Sequence, residues 1–356
     1  MPARSVSRRT FLRRGTTLAL GGVFAANRLA GADEPIDSSK AGPTAESKSA
    51  AANDLPPEQA WKHNERITEA RALALEILKP KPAELERGLE LHRESLVFDG
   101  YGFSPRSAID NQRLAEAMRA GASDIELKDM REDMMMTRWA TDPAERAECL
   151  QAWAASGVTC QFQNAGEEGQ DPLRMLKRLA RFTYATDLAR DDVFKAAVPE
   201  EIVAAKEQGR RCLYFTANGV PLRQQWISVE DELRYVRIFF QLGIRMMHLT
   251  YQRRNMLGDG CGEPTDGGVS DFGRAAIDEL NRQGVILDVA HCGWRTSLEA
   301  ARHSKQPMVA SHTTCTGVHE HIRSKPDEVI RAICDTGGHV GICCIPSFLG
   351  GQGDIS

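Results

Sequence analysis

Nothing in the 356-residue chain approaches 18 consecutive apolar residues, so no segment is predicted to span a membrane. No C-x-x-C pair occurs. Nine cysteines cannot all pair, and a domain of this size has no need of a disulfide framework. They read mainly as small buried hydrophobes. A basic face is missing as well. The first 32 residues hold six arginines and no acid; without them 39 basic residues face 49 acidic ones. A body that acidic argues against binding to nucleic acid or to an anionic membrane surface. What is present is ordinary globular material, 42% hydrophobic and 26% charged, long enough for one large α/β domain or two small ones.

The basic start reads as an export address. Ser7-Arg8-Arg9-Thr10-Phe11-Leu12-Arg13 matches the twin-arginine pattern, a weakly apolar stretch follows from about Thr17 to Ala26, and Ala30-Gly31-Ala32 supplies a small-x-small cleavage site. The alternative is a basic amphipathic helix. The order of pair, apolar core and cleavage site favours a signal over residues 1–32, the twin-arginine export machinery as partner, and a periplasmic or secreted location. Residues 33–56 are rich in Ser, Ala, Pro and charge without apolar periodicity, and are expected to be a flexible linker. Helices are expected over 57–93, interrupted by Lys79-Pro80-Lys81-Pro82.

From residue 94 onward, short β-branched or apolar runs alternate with amphipathic helices. Strands are predicted near Leu96–Tyr101, Val158–Gln163, Cys212–Ala217, Ile244–Tyr251, Val285–His291, Pro307–His312 and His339–Ile345. Helices are predicted at Pro172–Leu188, Val229–Leu242, Asp271–Gln283, Trp294–His303 and Pro326–Asp335. Glycines follow several helices immediately before a strand, as left-handed helix stops. The pattern implies an α/β fold with a parallel sheet, of the (β/α)8 TIM-barrel type. Seven strands are countable where closure needs eight, so the barrel over 94–356 is expected to lack the eighth strand. An open edge would favour self-association into a homo-oligomer.

Two predicted strands end in histidine, Val285–His291 and Pro307–His312, 21 residues apart. Strand carboxyl ends form the active face of such a barrel, so His291 and His312 are candidate metal ligands. The alternative is one structural histidine and a coincidence. Cys315, His319 and His321 are assigned to a solvated loop, and Met134-Met135-Met136 to packing. His248, three residues before Tyr251 on its predicted strand, is expected to face the helices.

The text "LGIRMMHLTYQRRNMLGDGC", "GGVSDFGRAAIDELNRQGVILDVAH" and "VASHTT…HIRSKPDEVIRAICDTGGHVGI" resembles the membrane (renal) dipeptidase family of metal-dependent hydrolases, within the amidohydrolase superfamily of barrels. A weaker resemblance reaches back to "ESLVFDGYG", so that roughly residues 86–356 are covered. The resemblance implies a two-zinc centre whose bridging hydroxide attacks the peptide carbonyl of a dipeptide. His291 and His312 match the two histidines of one zinc, and Arg323 matches the arginine that binds the substrate carboxylate, a task suited to its planar fork.

The other family positions differ. Tyr101 and Phe103 stand where the first strand carries His-x-Asp, Asn218 stands for the bridging glutamate, and Tyr251 replaces a histidine near the transition-state oxygen. The family's eighth-strand aspartate has no counterpart here. The resulting expectation is an exported metal-dependent dipeptidase-like hydrolase of small peptides or amides with a free carboxylate. It would hold at most one zinc ion, beside a degenerate first metal site. The alternative is a catalytically silent binding or accessory protein that keeps the fold.

Overall fold

A computed structural model describes residues 56–166 and 171–350. The twin-arginine segment, and all of the predicted linker except Pro56, lie outside the described residues. Ahead of the sheet come a short helix Pro57–Ala60, a 3-10 turn Trp61–His63 and helices Glu65–Leu78 and Pro82–Glu94. The proline-flanked break is real: Lys79 closes the first long helix in a left-handed conformation at φ 43°. Neither long helix buries a residue. They are tied down by polar contacts, Asn64 Nδ2 to Gln151 Oε1 at 3.0 Å and His92 Nε2 to the Ser156 carbonyl at 2.9 Å.

The sheet contains β1 (Phe98–Gly102), β2 (Cys160–Asn164), β3 (Val193–Ala196), β4 (Arg211–Ala217), β5 (Met246–His248), β6 (Ile286–Asp288), β7 (Val309–Cys315), β8 (Ser324–Lys325) and β9 (His339–Ile342). Every pairing is parallel. The path β1-β2-β4-β5-β6-β7 continues into β9 on the far side of β7. β3 lies along the first half of β4, and β8 along the end of β7. β1 and β9 are not paired among the described residues, so the sheet curls into an unclosed barrel with helices outside it.

All seven predicted strands are present, most of them shorter than expected. β3 and β8 were not foreseen. Val193–Ala196 is four residues long and carries a lysine, and Ser324–Lys325 has no apolar residue, so neither carries the apolar run that marks a strand in sequence.

The helices start and stop where their termini find partners. Asp171 accepts from the Leu173 N–H ahead of Pro172, and Met175, Leu179, Phe182 and Ala185 of that helix bury one stripe. Ser270 accepts from the Gly273 N–H, and Gly284 at φ 74° ends that helix into β6. Leu213, Phe215, Met247 and Leu287 of the strands, with Leu249 and Val289 just beyond β5 and β6, pack with these helices in the main core. Each fully buried side chain of this kind contributes roughly 1.5–3 kcal/mol. Cys160, Phe162, Cys212, Tyr214 and Ile286 form a separate cluster on the other face of the sheet. Five cysteines are buried, Cys149, Cys160, Cys212, Cys292 and Cys343, as expected of small hydrophobes, while Cys334 and Cys344 are exposed.

Candidate metal centre

Alternation along the strands decides which side chains enter the site. Met247 and Leu249 belong to the sheet–helix core, so His248 between them points to the opposite face, and Asp288 does the same between Leu287 and Val289. This corrects the expectation for His248. β5 ends at His248, so strand parity does not extend three residues further to Tyr251. Asp288 was not singled out in the sequence, because a lone acid in a buried strand carries no pattern.

His248 at the end of β5, His291 three residues beyond β6 and His312 in the middle of β7 lie together, with one nitrogen of each within 4.8 Å of the others. His291 Nε2 and His312 Nε2 are 2.9 Å apart. Burial, then the Arg323 charge, pushes His291 far below the ordinary imidazole range; burial, then His248, does the same for His312. Both rings are therefore neutral at pH 7, the form that binds metal.

Asp288 organises the cluster from behind. It accepts from the Ala290 N–H at 2.8 Å and the Ser311 N–H at 3.1 Å, and it takes a short bond from the Ser311 hydroxyl. The Ser311 Oγ lies 2.8 Å from His312 Nδ1. Burial works to raise this carboxyl, but His248 and the Ser311 bond outweigh it and hold it well below the usual carboxylate range. With its hydroxyl proton given to Asp288, Ser311 accepts the His312 Nδ1–H, which turns the His312 Nε2 lone pair toward His291 Nε2.

Arg323 is buried in the same place. Its Nη1 is 2.9 Å from His291 Nδ1 and 3.1 Å from His291 Nε2, and its Nη2 donates to the His312 carbonyl at 2.8 Å. Its Nε, also buried, has no hydrogen-bond partner. Tyr251 stacks on His291, with centroids 4.1 Å apart. Of the residues expected at the site, His291, His312, Arg323, Tyr251, Tyr101 and Asn218 thus converge.

Phe103 is half exposed at the rim, edge-on to Tyr101 with centroids 6.5 Å apart, and the Arg106 guanidinium lies 4.6 Å from its ring centroid. Tyr101 lies against His312, and its hydroxyl makes a short bond to Asn218 Oδ1. Burial raises the phenol's pKa well above its ordinary value, so it stays protonated. His321 stacks on Phe348 rather than joining the cluster.

A model of the membrane dipeptidase family (peptidase family M19) matches residues 85–356. The chain belongs to this family. It is 34% identical over 116 residues to an uncharacterised dipeptidase of Schizosaccharomyces pombe, covering 32% of this chain and 28% of that protein. It is 33% identical over 105 residues to the dipeptidase verJ of Clonostachys rogersoniana, covering 29% and 27%. Among solved structures, an amidohydrolase from Pseudomonas aeruginosa superposes with a TM-score of 0.52 at 27% identity, covering 71% of this chain and 64% of that one. The probable dipeptidase PvdM from the same organism gives 0.54 at 19% identity, covering 76% and 65%. The chain therefore matches only a little over a quarter of the curated relatives' length, and just under two thirds of these structures.

The family's metal chemistry meets two different environments here. Tyr101 and Asn218, which the resemblance sets at a first metal position, are neutral and bonded to each other, and Phe103 offers no donor. These three side chains present no charged ligand and do not fit an ion. The histidine side fits one, since it presents neutral imidazole nitrogens converging in a buried pocket held by a carboxylate.

Proposed function

We infer that this family member is an exported, metal-dependent hydrolase of small peptides or amides that carry a free carboxylate, and that it works with a single zinc ion. The observation that carries the reading is the convergence of His291, His312 and Arg323 from separate strands and a following loop. Zinc bound there would lower the pKa of a coordinated water to about 7 and so supply a nucleophile at neutral pH.

The chain's own residues do the rest. Arg323 supplies the cationic fork for the substrate carboxylate, and its unpartnered Nε is a donor still to be satisfied. Tyr251, stacked on His291, forms an aromatic wall beside the reacting group. Tyr101 and Asn218 close the side that a second ion would occupy. Asp288 and Ser311 hold His312 in one tautomer. Export by the twin-arginine route suits a protein that takes up its metal while folding.

The test is hydrolysis of dipeptides by the full chain, treated with chelator and then reloaded with zinc. The expected result is zinc-dependent release of amino acids from free-acid dipeptides, with amidated carboxyl termini cleaved far more slowly. Peptide binding without turnover would instead favour a silent binding protein.

A further inference from the structure

We propose that His248 is a metal ligand, and that with His291 and His312 it builds a mononuclear three-imidazole site for one zinc-like divalent ion. The proposal rests on the metal-dependent reading above and adds the ligand which that reading lacks. Two protein ligands are too few to hold a catalytic zinc, whereas three with one open position are the usual number.

His248 Nδ1 is 3.0 Å from the Ala217 carbonyl, which can only accept, so Nδ1 carries the proton. Nε2 is wholly buried and lies 3.0 Å from Asp288 Oδ2, within ion-pair distance. The carboxylate therefore favours a positive charge at that nitrogen, and a divalent cation supplies it in place of a proton.

His291 and His312 supply the rest of the cradle. The Ser311–Asp288 relay leaves the His312 Nε2 lone pair to accept from His291 Nε2–H at 2.9 Å, and a divalent cation would replace the proton that the two nitrogens share. Tetrahedral zinc bonds of about 2.1 Å place ligand nitrogens about 3.4 Å apart. Nitrogens already within 4.8 Å of one another reach that geometry by side-chain shifts on the order of 1 Å. The three histidines leave β5, β6 and β7, which are neighbours in the sheet, so the backbone holds them in register. Asp288 places a carboxylate behind two of the three, which offsets the unfavourable charge of Arg323.

The test is metal content and X-ray absorption at the zinc edge on the full-length protein, with zinc affinity measured for wild type and His248→Ala. The expected result is one zinc per chain, three imidazole scatterers, and at least about 100-fold weaker zinc binding in the variant. Two ions per chain, two imidazoles, or an unchanged affinity in a folded His248→Ala protein would overturn the proposal. The absorption measurement uses wild type only, so it decides even if the variant does not fold. A three-imidazole zinc with no peptide hydrolysis would uphold this site and remove the hydrolase reading. Peptide hydrolysis with a zinc affinity indifferent to His248 would do the reverse.

Discussion

Tyr101 lies flat on His312, with ring centroids 3.9 Å apart and planes 8° from parallel, while its hydroxyl is bonded to Asn218. One side chain thus links Asn218 to the histidine cluster, and its stacked face fixes the imidazole plane.

Removing that hydroxyl should cost stability without opening a metal site. Tyr101→Phe leaves buried Asn218 without the donor to its Oδ1, a loss of about 1–3 kcal/mol. Pairing the change with Asn218→Leu removes both polar groups and should recover most of it. Urea unfolding of wild type and the two variants checks this. A single variant as stable as wild type would show that the bond contributes nothing.

The fold was largely legible in the sequence, because its signals are local. Asp171-Pro172 opens a helix, Ser270 and Gly284 bracket another, and the apolar runs of β4, β6 and β7 lie where periodicity put them. His291 and His312 were read as strand-end histidines; β6 stops three residues before His291 and β7 runs three residues past His312, yet the two side chains do meet. His248 was not, since its facing depends on where β5 stops, and three-residue strands leave parity undetermined. The Asp288–Ser311 relay was equally hidden. It is a contact between strands, and neither residue is unusual in its own segment.

Glu232 should prove a determinant of the loop after β4, which follows Asn218. Its carboxylate accepts the backbone N–H groups of Gln224, Gln225 and Trp226 at 2.7, 2.7 and 2.6 Å. Gln224 and Trp226 are held at positive φ, 61° and 54°, where side chains are strained. Burial works to raise this carboxyl, but the N–H bonds prevail and hold it below its ordinary value. Its folded pKa is thus depressed, so the stabilisation is present above the unfolded value of 4.5 and fades as pH falls through the folded one. Glu232→Gln should lose about 2 kcal/mol at pH 7, and the gap to wild type should close in acid. A gap independent of pH would assign the loss to packing.

Export is testable through Arg8 and Arg9. Substituting lysine for both keeps the charge but removes the guanidinium pair, so the double variant should accumulate unprocessed in the cytoplasm. Fractionation and N-terminal sequencing report it. Normal processing at Ala32 through a twin-arginine-only route would remove the export reading.

Lys325 should make the protein more stable in mild alkali. Its ammonium is fully buried on β8, donating to the Cys292 carbonyl and, at 2.9 Å, to Ser297 Oγ. Desolvation brings its pKa down from 10.5 to about 8. Below pH 8 the lysine is charged in both the native and the unfolded states, and the native state bears the full cost of burying the charge. Between about 8 and 10.5 the native lysine has released its proton while the unfolded one keeps it. The unfolded state then binds more protons, and stability rises with pH, by up to about 3 kcal/mol. Buried Cys292, pushed up to about 11 from 9.0, works in the opposite sense over an overlapping range. The useful quantity is therefore the difference between wild type and Lys325→Met, from which the thiol term largely cancels. That difference, measured by denaturant unfolding at pH 7, 9 and 10.5, should move steadily in favour of wild type. A flat difference would mean that Lys325 keeps its proton across the whole range, and that its two acceptors hold the charge better than its burial opposes it.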